Sequence, residues 1–368
     1  MKRLLSLLLV MAMAISLAAC GAGNHKNTNE STTDQTQNVD GDDTGNSGDK
    51  TDEPQTEVIK DSQGNEFEVP MEINSAIVLN SSIYEMICVL GKDDVVIGVG
   101  DTITSPASAL EKDKYGDWRE PNVELILEAE PDIVFGYASW LDSGIAQQFT
   151  DAGIPVCMLD LYVPSTIMNE VSFLGKLLDA EERAEAFNND VREILDLVAQ
   201  RTAELEPISV YWEGYTDYKS VGKGSGGDEL MQLAKVKSLT GEEETAYPEI
   251  SDEWLLENNP DMVVKMISST KGIMGETIND PTAVQEVYNG IVSRPGWSGV
   301  NAVKDGKVLI LYSRIGTSPL GLAMAPLYIA KTAYPEQFQD VDPDTYLSDM
   351  LSTYWGEELT GIWTFVGA

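Results

Sequence analysis

The chain is predicted to be α/β: two Rossmann-like lobes bridged by a single long α-helix, with a ligand cleft between the lobes. Three observations carry that reading. Buried-strand patterns alternate with helical ones over residues 57–163 and again over 207–368, which implies mainly parallel sheets with helical crossovers. Residues 164–206 carry helical periodicity and no strand signal. One phrase occurs twice, as PNVELILEAEPDIVF at 121–135 and ISDEWLLENNPDMVV at 250–264.

Taken in order, the elements begin after an N-terminal segment outside the fold. Residues 1–20 pair two basic residues with an apolar run and end in Leu17-Ala18-Ala19-Cys20. That is a secretory signal, too short for a membrane span, and its end resembles a bacterial lipobox, which implies cleavage before Cys20 and lipid attachment there. Residues 21–56 are Asn, Thr, Asp, Gly and Ser with almost nothing apolar, the composition of a disordered tether. VIKDSQGNEFEVP reads as a hairpin turning near Gly64-Asn65. Then follow strand SAIVLN, helix SIYEMICVLG, strand VVIGVG, the first phrase with strand DIVFGY, helix SGIAQQFTDAG and strand PVCMLDL.

In the linking region Phe187, Val191, Ile194 and Val198 form one helical stripe. Asp179 followed by Glu182 predicts a capping box, and a helix from about 180 to 205 would span roughly 39 Å. The second lobe runs strand ISVYWEG, helix GDELMQLAKV, the second phrase with strand DMVVKM, helix TAVQEVYNGIVS, a hairpin NAVKDGKVLILY turning at Asp305-Gly306, and closing helices GLAMAPLYIAKTAYP and TYLSDMLSTYWG. Within the phrase, Asn122 and Ser251 sit at matching N-caps, and a Pro-Asp pair stops each helix and starts each strand.

Composition excludes several functions. There are 61 acidic against 24 basic residues, a formal charge of −37, which argues against nucleic acid as a partner. The one histidine is His25, ahead of the fold. The folded part therefore has no Ser-His-Asp or Cys-His arrangement and no histidine metal site. Cys88 and Cys157 sit in apolar runs and read as buried structural thiols, with a disulfide between them left open. GKGSGGDEL at 222–230 lacks the order of a phosphate-binding loop and reads as a loop leading into the helix at Asp228.

Several stretches in order, the hairpin ending in Val69-Pro70, NVELILEAEPDIVF, GKLLDAEERAEAF, WSGVNAVKDGKVLIL and LYIAKTAYPEQF, give residues 57–368 a resemblance to the substrate-binding lipoproteins of iron–siderophore and vitamin B12 ABC importers. The resemblance implies a receptor outside the cell membrane, anchored by lipid, that binds a metal chelate and delivers it to a permease dimer with its ATPase. It implies no cofactor of the protein's own, no catalysis and a monomer. It also implies that a glutamate on each lobe docks onto permease arginines, and the phrase places these at Glu124 and Glu253. Read without the resemblance, a carboxylate in a helix's first turn complements the dipole.

Ligands of α/β folds gather at loops following strand carboxyl ends. Here those loops supply Thr102, Tyr137, Trp140, Trp212, Tyr215 and Arg314, with Trp118 and Arg119 just ahead of the first phrase. The aromatics offer flat apolar faces with polar edges, and the arginines offer fixed forks for anionic groups. The set suits a large, partly anionic iron(III)-siderophore-type chelate, although the low basic count weighs against a highly charged catecholate. Corrinoid, haem or an oxyanion such as molybdate are alternatives on the same fold. A surface sensor or interaction lipoprotein, and a two-lobed enzyme, are alternatives of other classes.

Overall fold

A computed structural model describes residues 56–61, 64–138 and 141–367. The signal and lipobox with Cys20, all but the last residue of the tether, and Trp140 lie outside the described residues.

The chain opens with an antiparallel hairpin, β1 (Thr56–Lys60) and β2 (Glu66–Pro70). Gly64 takes the positive φ of 86° that its turn needs. Asp61 in the turn accepts hydrogen bonds from Asn65 N at 2.9 Å and Met158 N at 3.3 Å, tying the hairpin to the first sheet.

That sheet has the order β5-β4-β3-β6-β7 and is parallel throughout. Its strands are β3 (Ala76–Val78), β4 (Val96–Val99), β5 (Asp113–Lys114), β6 (Ile133–Tyr137) and β7 (Val156–Leu159), with helices α1 (Ser81–Val89), α2 (Val123–Ala129) and α3 (Ser143–Asp151) between them. The second sheet has the order β12-β11-β10-β8-β9, parallel except at β12. Its strands are β8 (Ser209–Glu213), β9 (Lys237–Ser238), β10 (Met262–Ile267), β11 (Val308–Tyr312) and β12 (Thr364–Val366). Short, almost wholly apolar strands such as VLILY are what a sheet covered on both faces requires.

Between the sheets the chain makes two helices, α4 (Pro164–Leu177) and α5 (Glu181–Thr202). Helix α5 has 22 residues, about 33 Å at 1.5 Å per residue, and buries the expected stripe of Phe187, Val191, Ile194 and Val198. Its first turn is tied to the C-terminal segment by Arg183 Nη2 donating to Tyr354 O at 3.2 Å. Near its last turn Arg201 pairs with Asp340 at 2.7 Å. The predicted capping box does not form: Asp179 takes a positive φ of 52° and Ala180 is the N-cap. The turn is too tight for it, because Ala180 N donates to Gly175 O at 2.7 Å and a Cβ on Gly175 would stand 2.5 Å from Ala184 Cβ.

The second lobe completes with α6 (Gly226–Leu233), α7 (Asp252–Asn258), α8 (Thr282–Val292), α9 (Asn301–Lys304), α10 (Ser313–Gly316), α11 (Pro319–Ala333) and α12 (Pro343–Met350). The expected hairpin at Asp305-Gly306 is instead the end of α9. Gly306 (φ 68°) closes the helix, Lys307 N donates to Ala302 O at 2.8 Å, and β11 pairs parallel to β10. An Asp-Gly pair serves a helix end as well as a hairpin.

The repeated phrase folds the same way in both lobes. Asn122 accepts from Leu125 N and Ser251 from Trp254 N, each at 3.2 Å. Both helices end in left-handed residues, Glu130 and Asn259. Asp132 then accepts from Ser75 N at 2.9 Å, and Asp261 from Ser209 N at 3.1 Å. The helices seat Ile126 and Leu255 in separate apolar clusters on the two sheets. A third cluster takes in α4, α5, α11 and strand faces of both sheets.

Candidate functional site

The carboxyl ends of both sheets converge on a cleft of about 380 Å³. The first lobe contributes the loops after β3, β4 and β7, together with Trp118 and Tyr137, and the second contributes those after β8, β10 and β11. On one side, Asn80 fixes the loop after β3: its Oδ1 caps α1 by accepting from Ser82 N at 2.7 Å, while Nδ2 donates to Leu159 O at 3.1 Å. This buried side chain sets both the start of α1 and the end of β7, and so positions Ser81 and Glu85.

Aromatic rings line much of the wall. Trp118 meets Tyr137 edge-on at 5.3 Å, and Tyr137 meets Tyr162 at 6.3 Å. Tyr215, Tyr247 and Tyr312 stand among the remaining lining residues. Hydroxyls tie the rings in place: Ser81 Oγ and Tyr137 OH are 3.2 Å apart, as are Tyr215 OH and Thr317 Oγ1. Burial holds the Tyr137, Tyr215, Tyr247 and Tyr312 phenols above their usual range, so they present neutral hydroxyls and apolar faces to the cleft. Among the described residues no group of three or more His, Cys, Asp or Glu is placed to hold a metal ion.

Arg314 dominates the floor. Its Nε faces Glu85 Oε1 at 3.4 Å, and its Nη1 donates to Glu276 at 2.9 Å and Glu357 at 2.8 Å. Trp355 and Trp363 lie within 5.2 and 5.3 Å of the guanidinium carbon. Glu85 comes from the first lobe and Arg314, Glu276 and Glu357 from the second. Ser82 Oγ donates to Thr317 O, and Ser105 Oγ to Glu276, both at 3.3 Å, across the same junction. Burial pushes the Glu85 carboxyl up to about 7 against the pull of Arg314, with Glu357 and Glu276 adding to the rise. Those carboxylates in turn hold Arg314 firmly charged despite its burial.

The sequence-predicted residues divide cleanly. Thr102, Trp118, Tyr137, Tyr215 and Arg314 line the cleft. Trp212 does not. It is 3 % exposed, packed in the large core cluster, and Gly227 lets α6 approach it, since a Cβ there would be 3.1 Å from its ring. Arg119 lies outside the lining and is exposed, its guanidinium stacked on Trp118 at 4.2 Å. Arg314 is present but is already engaged by three carboxylates rather than held open for an anionic ligand. Glu85, Tyr162, Tyr247 and Tyr312 were not anticipated. Tyr162 follows β7 and Tyr312 ends β11, so the strand-end rule that found Tyr137 applies to them too. Tyr247 and Glu85 carry no such signal. Glu124 and Glu253 are exposed, each in the first turn of its helix. Cys88 and Cys157 are free thiols, the latter buried.

Comparison with known proteins agrees with this architecture. Residues 77–315 match the family model described as periplasmic binding protein. A relative from Bacillus subtilis, the uncharacterized ABC transporter substrate-binding lipoprotein YvrC, is 26% identical over 77% of this chain and 87% of its own length. The molybdate-binding protein MolA of Haemophilus influenzae is 24% identical over 81% of this chain and 90% of its own. The structure of MolA bound to molybdate superposes with a TM-score of 0.70 at 20% identity, covering 83% of this chain and 99% of that one. The TroA-like periplasmic binding protein FepB from Veillonella parvula gives 0.69 at 21% identity, covering 84% and 99%. With its two α/β lobes and the cleft between them, the chain belongs to the periplasmic binding protein family.

Proposed function

We propose that this chain is the extracytoplasmic substrate-binding lipoprotein of an ABC importer, and that its cargo is a metal chelate of the iron(III)-siderophore type. The observation that carries the reading is the cleft. At about 380 Å³ it falls in the range of about 300–1,000 Å³ usual for small-molecule sites. Its walls combine aromatic faces with Ser and Thr hydroxyls, which suits a bulky ligand with an apolar body and many acceptor oxygens. The relatives are binding proteins by name, and one is a lipoprotein of an ABC transporter.

In this reading Cys20 carries the lipid, and Glu124 and Glu253 offer one carboxylate per lobe to arginines of a permease dimer. The molybdate-binding relative favours a second reading, an oxyanion receptor whose hydroxyls and backbone N–H groups hold the cargo.

The test is uptake of radiolabelled ferric chelates by cells that depend on this chain. Glu124→Ala with Glu253→Ala is expected to abolish uptake while the purified chain still binds the same chelate. Uptake that survives the double substitution overturns the docking role. Cells lacking the chain that import every ferric chelate normally but fail to import molybdate favour the second reading.

A further inference from the structure

We propose that the cleft selects its cargo by charge: it takes neutral or cationic metal chelates and rejects polyanionic ones. This rests on the chelate-receptor reading and narrows it.

Among the described lining residues the charged ones are Glu85 and Arg314. Glu276 and Glu357 join them immediately behind the lining, at 2.9 and 2.8 Å from the same guanidinium nitrogen. Three carboxylates against one guanidinium leave the floor net negative, even when Glu85 holds a proton. The groups are held in or just behind the floor, the Arg314 side chain 4 % exposed and the carboxylates 6, 28 and 23 %. Buried charge is weakly screened by salt. Arg119, stacked on Trp118, is solvent-exposed, and its field is correspondingly damped.

The hydrogen-bond pattern agrees. Nε and Nη1 of Arg314 are occupied by carboxylates, so the fork cannot grip an anion in two-pronged fashion. Among the described residues its Nη2 has no hydrogen-bond partner, and that atom is buried beneath the cleft surface, out of a ligand's reach. The rest of the wall is uncharged, Ser and Thr hydroxyls beside Trp118 and the tyrosines, whose ring faces attract cations. Ferric trihydroxamates, neutral or bearing a free ammonium group, have this chemistry. A ferric tris-catecholate carries the opposite sign.

The experiment is equilibrium titration of the chain, followed by tryptophan fluorescence and checked by dialysis. The four probes are a neutral cyclic ferric trihydroxamate, a linear ferric trihydroxamate with a free amine, a trianionic ferric tris-catecholate, and molybdate. The two trihydroxamates are expected to bind at least about ten-fold more tightly than the tris-catecholate at moderate salt, the scale of a charge placed within several ångströms of a buried one. Glu276→Gln with Glu357→Gln is expected to narrow that gap. A tris-catecholate that binds as tightly as the trihydroxamates overturns the charge rule and leaves the receptor reading standing. An unchanged gap in the double variant overturns the assignment to these carboxylates. Binding of molybdate alone, or of none of the four by a folded chain, overturns the chelate reading and the inference with it.

Discussion

Among the described residues, two buried ion clusters differ in their charge balance. In the cleft floor one guanidinium, Arg314, serves three carboxylates. In the second lobe, away from the cleft lining, the charges balance: Glu213 and the exposed Asp217 share Lys265 and Arg294, with Asp217 2.8 Å from Lys265. Glu213 is fully buried and accepts two hydrogen bonds from Arg294, both 2.9 Å, with Lys265 at 3.0 Å. Tyr211 OH and Tyr218 N donate to it as well, at 3.1 and 3.0 Å. The two glutamates meet the same desolvation with different results. Burial would raise Glu213, yet Arg294 and Lys265 hold it below its ordinary range. Glu85 shares its one cation with two competitors and is pushed up to about 7. The balanced cluster holds its buried carboxylate ionised, whereas the one at the cleft carries surplus negative charge that its single cation does not offset.

The largest effect should come from breaking the balanced cluster. Arg294→Ala leaves Glu213 with one cation, Lys265, that it shares with Asp217, and removes the ring contacts to Tyr218 and Trp297. It should cost about 3–5 kcal/mol in denaturant unfolding, as removal of one partner from a buried pair does.

Next comes the pH dependence, where the two clusters should have opposite slopes. Glu85 is raised from 4.5 to about 7, so the folded state binds the extra proton and stability falls as pH rises through that window. Glu85→Gln should remove this loss, and the variant should gain on the parent by about 3 kcal/mol between its two limits. Glu213 is lowered, so its contribution is present above 4.5 and is lost as pH falls through its folded value. Thermal melts of both Gln variants from pH 8 down to the acid limit of folding would show whether the difference curves run in opposite directions, Glu85 above 4.5 and Glu213 below it; parallel curves would refute the contrast.

A smaller effect is expected at Glu276 and Glu357, which are about one-quarter exposed. Single Gln substitutions there should change unfolding free energy by less than about 1 kcal/mol, which is what makes them usable as probes of cargo charge. The smallest should be at Glu124 and Glu253, exposed first-turn residues whose replacement by Ala should move stability by no more than about 0.5 kcal/mol.

Much of the fold was legible in the sequence because periodicity and helix signals act locally. The two phrase copies carry their caps, stops and strand starts within fifteen residues, and both fold as read. The errors arise where one signal serves two geometries. Asp305-Gly306 ends α9 rather than turning a hairpin, and Asp179 gives up its capping role to a tight turn. The site was half legible for a similar reason. Strand ends mark Tyr137, Tyr215 and Arg314 from the local pattern. Trp212 also sits on a strand, but the sequence does not say which of its faces α6 covers. Least visible was the state of Arg314, because its partners Glu85, Glu276 and Glu357 are scattered over nearly the whole folded chain and meet only when both lobes are in place.

The serine–aspartate staples, Ser75 with Asp132 and Ser209 with Asp261, rivet α2 and α7 each to its own sheet. Glu124 and Glu253 therefore ride on the two jaws of a caliper. Any tilt of one sheet against the other changes the gap between these carboxylates, so a partner that grips both reads the state of the cleft from outside, without touching its contents.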